Sequence, residues 1–286
     1  MEENIKEVKE NKLPEDTQKK LDRIANFEKL GGENFFQDIN DDPPTKVLNP
    51  EDVDYLKKKL SSKLKNLSCR RLVSKMLKNY AVEHKIEVQG LENLEAIEGG
   101  AIITTNHFHF FDSAPLVYAV KNLKKKHKMH IVIREGNYQV PGMFGFILKN
   151  YYTFPLSSNM RTMVKLNNAI ETVLKKGDFV LVYPEQAMWW KYRKPRFYRI
   201  GAFKWAAKNN VPLLPCFVTM EDMEAVEEDG LKAQKLTLHI GTPIYPNKDL
   251  SVKENAEQML EKNKEFTVSI YEKVYDLKYD LKYDNN

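Results

Sequence analysis

The chain is poor in cysteine and has no long apolar run. Cys69 and Cys216 are the two cysteines in 286 residues, far apart and in no metal-ligand spacing. That argues against a disulfide scaffold and against a zinc site, and it fits a reducing, cytoplasmic setting. No apolar stretch approaches the roughly 18 residues of a membrane span. The opening Met1-Glu2-Glu3-Asn4 has neither the charge nor the apolar pattern of a secretory signal. A Gly-x-Ser-x-Gly elbow is missing as well, which disfavours a serine hydrolase. Acids are absent from residues 57–78, which carry nine Lys or Arg.

What is present suits a folded, enzyme-sized body. The length holds one large domain with an ample core. Residues 1–49 form a polar, acidic arm, expected to be loose and partly disordered, with one short helix at 14–30. Residues 50–82 read as one long basic amphipathic helix. Asn49-Pro50-Glu51-Asp52 supplies the cap, and Leu60, Leu64, Leu67, Val73, Met76, Leu77 and Tyr80 recur at three- and four-residue steps. Such a helix either lies on an anionic membrane or packs on the protein with its basic face solvated. From 83 to 250 strand and helix patterns alternate, with buried strands at 101–105, 178–183 and 211–218. This predicts a single α/β domain with a mixed, largely parallel sheet flanked by helices, its sites at the carboxyl ends of the strands. A last helix occupies 251–283, with Tyr271, Tyr275, Tyr279 and Tyr283 in a packing stripe.

The most informative segment is Asn106-His107-Phe108-His109-Phe110-Phe111-Asp112, directly after the strand Ala101-Ile102-Ile103-Thr104-Thr105. A histidine at a strand mouth with a carboxylate five residues on has the parts of a general base. The carboxylate fixes the imidazole tautomer and stabilises its charged form. Five residues put the two on different faces of an ideal helix, so residues 108–111 must form a turn. Asp112 is also expected to cap the helix that follows. His109, His130 and His239 read as wall or structural residues, and Cys216 as core.

The segment does not stand alone. It resembles the N-H-x4-D signature of the glycerolipid acyltransferases, the group that includes 1-acylglycerol-3-phosphate acyltransferase. Three further blocks follow in that family's order. Arg134-Glu135 precedes Pro141-Gly142-Met143-Phe144-Gly145, Val182-Tyr183-Pro184-Glu185 resembles its F-P-E-G core, and Val211-Pro212-Leu213-Leu214-Pro215 resembles its V-P-x-x-P. Gly241-Thr242-Pro243-Ile244 is similar to its usual tail, so the resemblance covers about residues 84 to 250.

The resemblance implies that His107, assisted by Asp112, deprotonates an acceptor hydroxyl. That oxygen then attacks an acyl thioester on coenzyme A or an acyl carrier protein. It implies a lysophospholipid acceptor such as 1-acylglycerol-3-phosphate, no tightly bound cofactor and no metal. It also implies a peripheral place on the inner face of an anionic phospholipid membrane; no nucleic-acid partner is expected, because the basic helix has no accompanying recognised nucleic-acid-binding fold. Asn106, Arg134 and Glu185 would bind substrate. Where the family has Gly, Thr or Ser, and Arg after F-P-E, this chain has Gln186, Ala187 and Met188. Its usual phosphate-reading arginines are therefore missing, and Arg193, Lys194 and Arg196 are the expected replacements. The alternatives are a lipid ester or thioester hydrolase using the same His/Asp pair, and a non-catalytic membrane-binding protein.

Overall fold

The computed structural model describes residues 13–40 and 45–282. The Asp42-Pro43-Pro44 break and Tyr283 lie outside these. Among the described residues seven strands form one sheet in the order β1-β7-β6-β2-β5-β3-β4. Ala101–Thr104 (β2) and Phe179–Val182 (β5) are buried at every position. A strand covered on both faces is apolar throughout and sits centrally. They pair in parallel with each other, β2 with Leu213–Val226 (β6), and β5 with Met129–Ile133 (β3). Thr153–Pro155 (β4) extends the parallel set at one edge. Lys232–Ile240 (β7) runs antiparallel to β6, and Glu87–Gln89 (β1), which leads into the short helix Leu91–Glu95 (α3), runs parallel to β7. The sheet is therefore mixed and largely parallel, as the alternating pattern implied.

Successive strand residues feed opposite cores because side chains alternate across a sheet. Ile103 and Leu181 join Leu77 of Leu60–Glu83 (α2) and Leu116 and Val120 of Ala114–Asn122 (α4) on one face. Ile102 and Val180 meet Ile170 and Val173 of Met160–Lys175 (α6), Phe203 of Gly201–Asn209 (α7) and Met259 of Val252–Tyr275 (α8) on the other. Gly142–Asn150 (α5) begins after Pro141. A Cβ on Gly145 would lie 1.6 Å from the Val140 carbonyl oxygen. The Pro-Gly-x-x-Gly spacing thus reflects a backbone contact that only glycine permits.

Three expectations change. The segment expected as one helix over 50–82 is a single turn, Pro50–Asp52, followed by α2 from Leu60. The Asn49/Asp52 capping box does form. Asp54 then accepts from the backbone N–H groups of Lys58 and Lys59, both at 3.0 Å, and Lys57 takes φ +50°, so the chain turns before it can continue as helix. Within α2, Leu60 and Leu64 are 73% and 59% exposed. The packed side there is Asn66, which donates to the Asn150 carbonyl (2.7 Å), and Cys69.

Secondly, the described part of the arm is not loose. Glu15–Leu30 (α1) and the turn after it place Ile24, Phe35 and Ile39 in a buried cluster with Ala187 and Trp189. Thirdly, α8 stops at Tyr275 with Asp276 left-handed, and the tail folds back to bring Tyr279 onto Tyr271 (6.3 Å between rings). No helix among the described residues is long and apolar enough to cross a membrane.

Candidate active site

β2 and β5 pair with Thr104 opposite Val182, so the loops leaving their carboxyl ends run side by side. One carries Asn106 to Asp112, the other Tyr183 to Glu185. The turn over 108–111 is present, closed by the Asp112 N–H on the His109 carbonyl (3.3 Å). His107 Nδ1 meets Asp112 Oδ2 at 2.6 Å. The same oxygen accepts from the N–H groups of Phe108 (2.9 Å) and His109 (3.3 Å). Asp112 therefore caps its own turn and not α4, whose cap position is Ser113. With Nδ1 directed at the carboxylate, Nε2 is the nitrogen left for a substrate, the tautomer a general base needs.

Tyr183 completes the group. Its hydroxyl donates to Asp112 Oδ1 at 2.6 Å, and its ring stacks on the His107 imidazole with centroids 4.2 Å apart. Burial, and after it the Asp112 charge, holds the phenol far above its ordinary titration range, so it stays a donor. His109 is a wall. Its Nδ1 accepts from Phe111 N (3.1 Å), its ring lies 4.7 Å from Trp190, and burial lowers its proton affinity.

The imidazole opens into a cleft of about 1760 Å³. Its lining includes apolar Val73, Leu77, Tyr80, Phe111, Phe144 and Ile147, and charged Arg23, Asp38, Arg134 and Arg199. Arg134 reaches Asp38 at 2.6 Å, and Arg199 pairs with Glu33. Sequence reasoning placed Arg134 among the substrate-binding residues, included Arg199 in the basic run 191–199 without singling it out, and missed Arg23. No motif marks Arg23, which arrives on α1.

Several expected binding residues turn out to be occupied elsewhere. Asn106 is buried and bonds both ways to Val218, donating to its carbonyl (3.0 Å) and accepting from its N–H (2.8 Å). It fastens the His107 loop to β6 and does not face the cleft. Glu185 is 2% exposed and holds the His107 N–H at 3.1 Å. Its remaining capacity goes to Arg196, through the backbone N–H at 3.0 Å and Nη2 at 3.0 Å. Arg196 is itself buried, donates to the carbonyls of Phe35 and Ala187, and lies 4.6 Å from the Trp189 ring centre. Neither side chain of this pair can reach a substrate phosphate, so both sequence assignments are corrected. Arg193 pairs with Asp222 and with Gln234 (3.1 Å), and Lys194 with Glu28 (2.7 Å) and Asp280 (3.1 Å). None of Arg193, Lys194 and Arg196 lines the cleft. The basic run 191–199 looks like a phosphate reader in sequence. In the fold it is cross-linked to acids on α1, the β6–β7 hairpin and the tail.

Comparison with known proteins agrees with this architecture. Residues 85–219 match the family model described as Acyltransferase. The chain is 28% identical over 168 residues to a chloroplastic 1-acyl-sn-glycerol-3-phosphate acyltransferase of Brassica napus, covering 58% of this chain and 46% of that one. It is 29% identical over 168 residues to one of Arabidopsis thaliana, with 58% and 45% covered. The matched stretch is thus less than half the length of either relative. The crystal structure of the 1-acyl-sn-glycerophosphate acyltransferase PlsC from Thermotoga maritima shares the fold, with TM-score 0.53 and 19% identity over 79% of this chain and 87% of that one. The ordered motifs and the matched stretch make residues 85–219 similar to the Acyltransferase family, and the sheet is of the same fold as PlsC.

Proposed function

We propose that the protein is an O-acyltransferase that moves a fatty acyl group from an acyl thioester to a hydroxyl of a lysophospholipid, 1-acylglycerol-3-phosphate or a close relative. The observation that carries this reading is the His107–Asp112 pair at 2.6 Å, set in a cleft lined by apolar side chains and by Arg23, Arg134 and Arg199. An acyl chain suits the apolar side chains and an anionic head group the arginines. In this reading the acceptor hydroxyl gives its proton to His107 Nε2, and its oxygen attacks the thioester carbonyl carbon. The tetrahedral intermediate collapses by breaking the C–S bond, and the thiolate leaves with the proton returned by the imidazolium. The acceptor oxygen is the nucleophile, so no acyl-enzyme forms. Acyl-CoA or acyl carrier protein acts as a co-substrate, and no tightly bound cofactor is required.

The same reading places the protein peripherally on the cytoplasmic face of an anionic membrane. Supporting this, Leu60, Leu64 and Leu67 of α2 are exposed, as are Met143 and Phe146 on the neighbouring α5, beside exposed Lys58, Lys59, Lys63 and Lys65. The test is a matrix of labelled acyl-CoA and acyl carrier protein donors against lyso-lipids differing in head group. Esterified acceptor formed by the wild type and lost in His107→Ala is the expected result. Free fatty acid as the sole product would favour a hydrolase. No turnover with any donor, alongside intact vesicle binding, would favour a non-catalytic lipid binder.

A further inference from the structure

We propose that Tyr183 is a positioning residue that sets how strongly His107 holds a proton, acting through Asp112. The proposal rests on the reading of His107 as the base, and it comes from a departure in this chain. The family's F-P-E-G core has phenylalanine where Val182-Tyr183-Pro184-Glu185 has tyrosine. The added oxygen is not idle, since it donates to Asp112 Oδ1 at 2.6 Å while Oδ2 of the same carboxylate faces His107 Nδ1 at 2.6 Å.

The division of labour on the carboxylate gives the argument its direction. Oδ2 serves His107 Nδ1 and the N–H groups of Phe108 and His109. Oδ1 serves the Tyr183 hydroxyl. Asp112 is 2% exposed, so these donors stand in for water. A hydroxyl donating to one oxygen draws charge away from the other. Asp112 then stabilises the imidazolium less than it would beside phenylalanine, and His107 gives its proton back more readily. The imidazolium must return that proton to a leaving thiolate, so restrained basicity favours the second half of the reaction. The ring acts too. It lies 4.2 Å from the imidazole at an interplanar angle of 23°, which restricts ring rotation and keeps Nε2 toward the cleft. The other charged or titratable groups around this cluster are Tyr80, Glu83 and His84 from α2 and its end, His109 from the same loop, Glu227 and Lys191 beyond His109, and Glu185, held by Arg196, under the His107 backbone; Ser113 hydrogen-bonds the Tyr183 hydroxyl. None of them touches Oδ1.

The test is Tyr183→Phe, which keeps the stacked ring and removes the hydroxyl. His107 is followed by NMR titration of its ring nitrogens in the substrate-free protein and, separately, by the acid limb of kcat/KM. Both midpoints are expected to move to higher pH, with activity falling on the acid limb. A 3-fluorotyrosine at 183 is a stronger donor in an unchanged fold, and it should move both midpoints to lower pH. The NMR reading needs no turnover, so it judges Tyr183 even if the acyltransferase reading fails. A merely structural tyrosine would lower thermal stability in Tyr183→Phe and leave both midpoints where they were. Unmoved midpoints in both variants, or a shift of opposite sign, would overturn the proposal.

Discussion

Replacing Arg196 by methionine asks whether the Pro184-Glu185 segment reads substrate or holds the loop. In sequence, Arg196 belongs to a basic cluster suited to phosphate. In the structure it is 2% exposed and pairs at 3.0 Å with a Glu185 that is equally buried. Methionine keeps much of the stem's packing on Trp189 and removes the charge. The Glu185 carboxylate would keep the backbone N–H groups of His107 and Arg196 but no counter-ion. Breaking a buried pair from one side costs about 3–5 kcal/mol. The freed carbonyls of Phe35 and Ala187 add roughly 1–3 kcal/mol each wherever water cannot reach them. A total above 3 kcal/mol is expected, read as a lowered urea midpoint at unchanged m. Glu185→Gln leaves the cation unpaired and should cost a similar amount. The double variant should cost less than the sum, because it leaves no buried charge. Because Glu185 also holds the His107 N–H, both single variants should lower kcat more than they raise the acceptor KM. An Arg196→Met protein within 1 kcal/mol of the wild type by this urea assay, but with a much raised acceptor KM, would refute this reasoning and restore the phosphate assignment.

Other consequences follow from particular side chains. Burial, and after it the charge of Lys273, lowers His239 to about 4, and its Nε2 meets the Thr219 hydroxyl at 2.9 Å. The unfolded chain protonates this ring below about pH 6.5 while the native one does not until about pH 4. Stability should therefore fall by up to about 3 kcal/mol as pH drops through that window. His239→Gln should flatten that slope in denaturant titrations at several pH values, and an unchanged slope would count against it. For membrane binding, Leu60→Glu with Leu64→Glu should weaken flotation with anionic vesicles by at least about tenfold, from the loss of roughly 0.8 kcal/mol per buried CH₂. Retained flotation would exclude this face. Reversing Lys58, Lys59 and Lys63 should weaken binding mainly at low salt. Lys57 is unsuited to that test, being buried with its Nζ donating to the Lys149 carbonyl at 2.8 Å.

The central sheet was legible because β2 and β5 are covered on both faces and so spell uninterrupted apolar runs. His107 and Asp112 were legible because their chemistry lies within six residues at one strand end. What escaped depends on distant packing. Charge counting suggests that Arg196 is solvated, whereas it is buried against Glu185, Ala187, Trp189 and the carbonyl of Phe35, the last 161 residues away. Ile24 and Phe27 of α1, which pack in the same cluster as Trp189, are sparse in a polar helix. The start of α2 was misplaced because the Asn49-Pro50-Glu51-Asp52 cap is a true helix signal that serves one turn, while Asp54 redirects the chain afterwards. Tyr183 was visible in its motif, but only as a match to phenylalanine. Its hydroxyl gains meaning once β5 is seen beside β2.

The most direct test of the account is the stoichiometry of one reaction. With a thioester donor and a lyso-lipid acceptor, wild-type protein should release one thiol for each ester bond formed. His107→Ala should lower both rates together by about 10²- to 10⁴-fold while its fold and stability persist. Ester formation at an undiminished rate in folded His107→Ala would contradict the assignment of the base. Thiol released with free fatty acid and no ester would contradict acyl transfer itself.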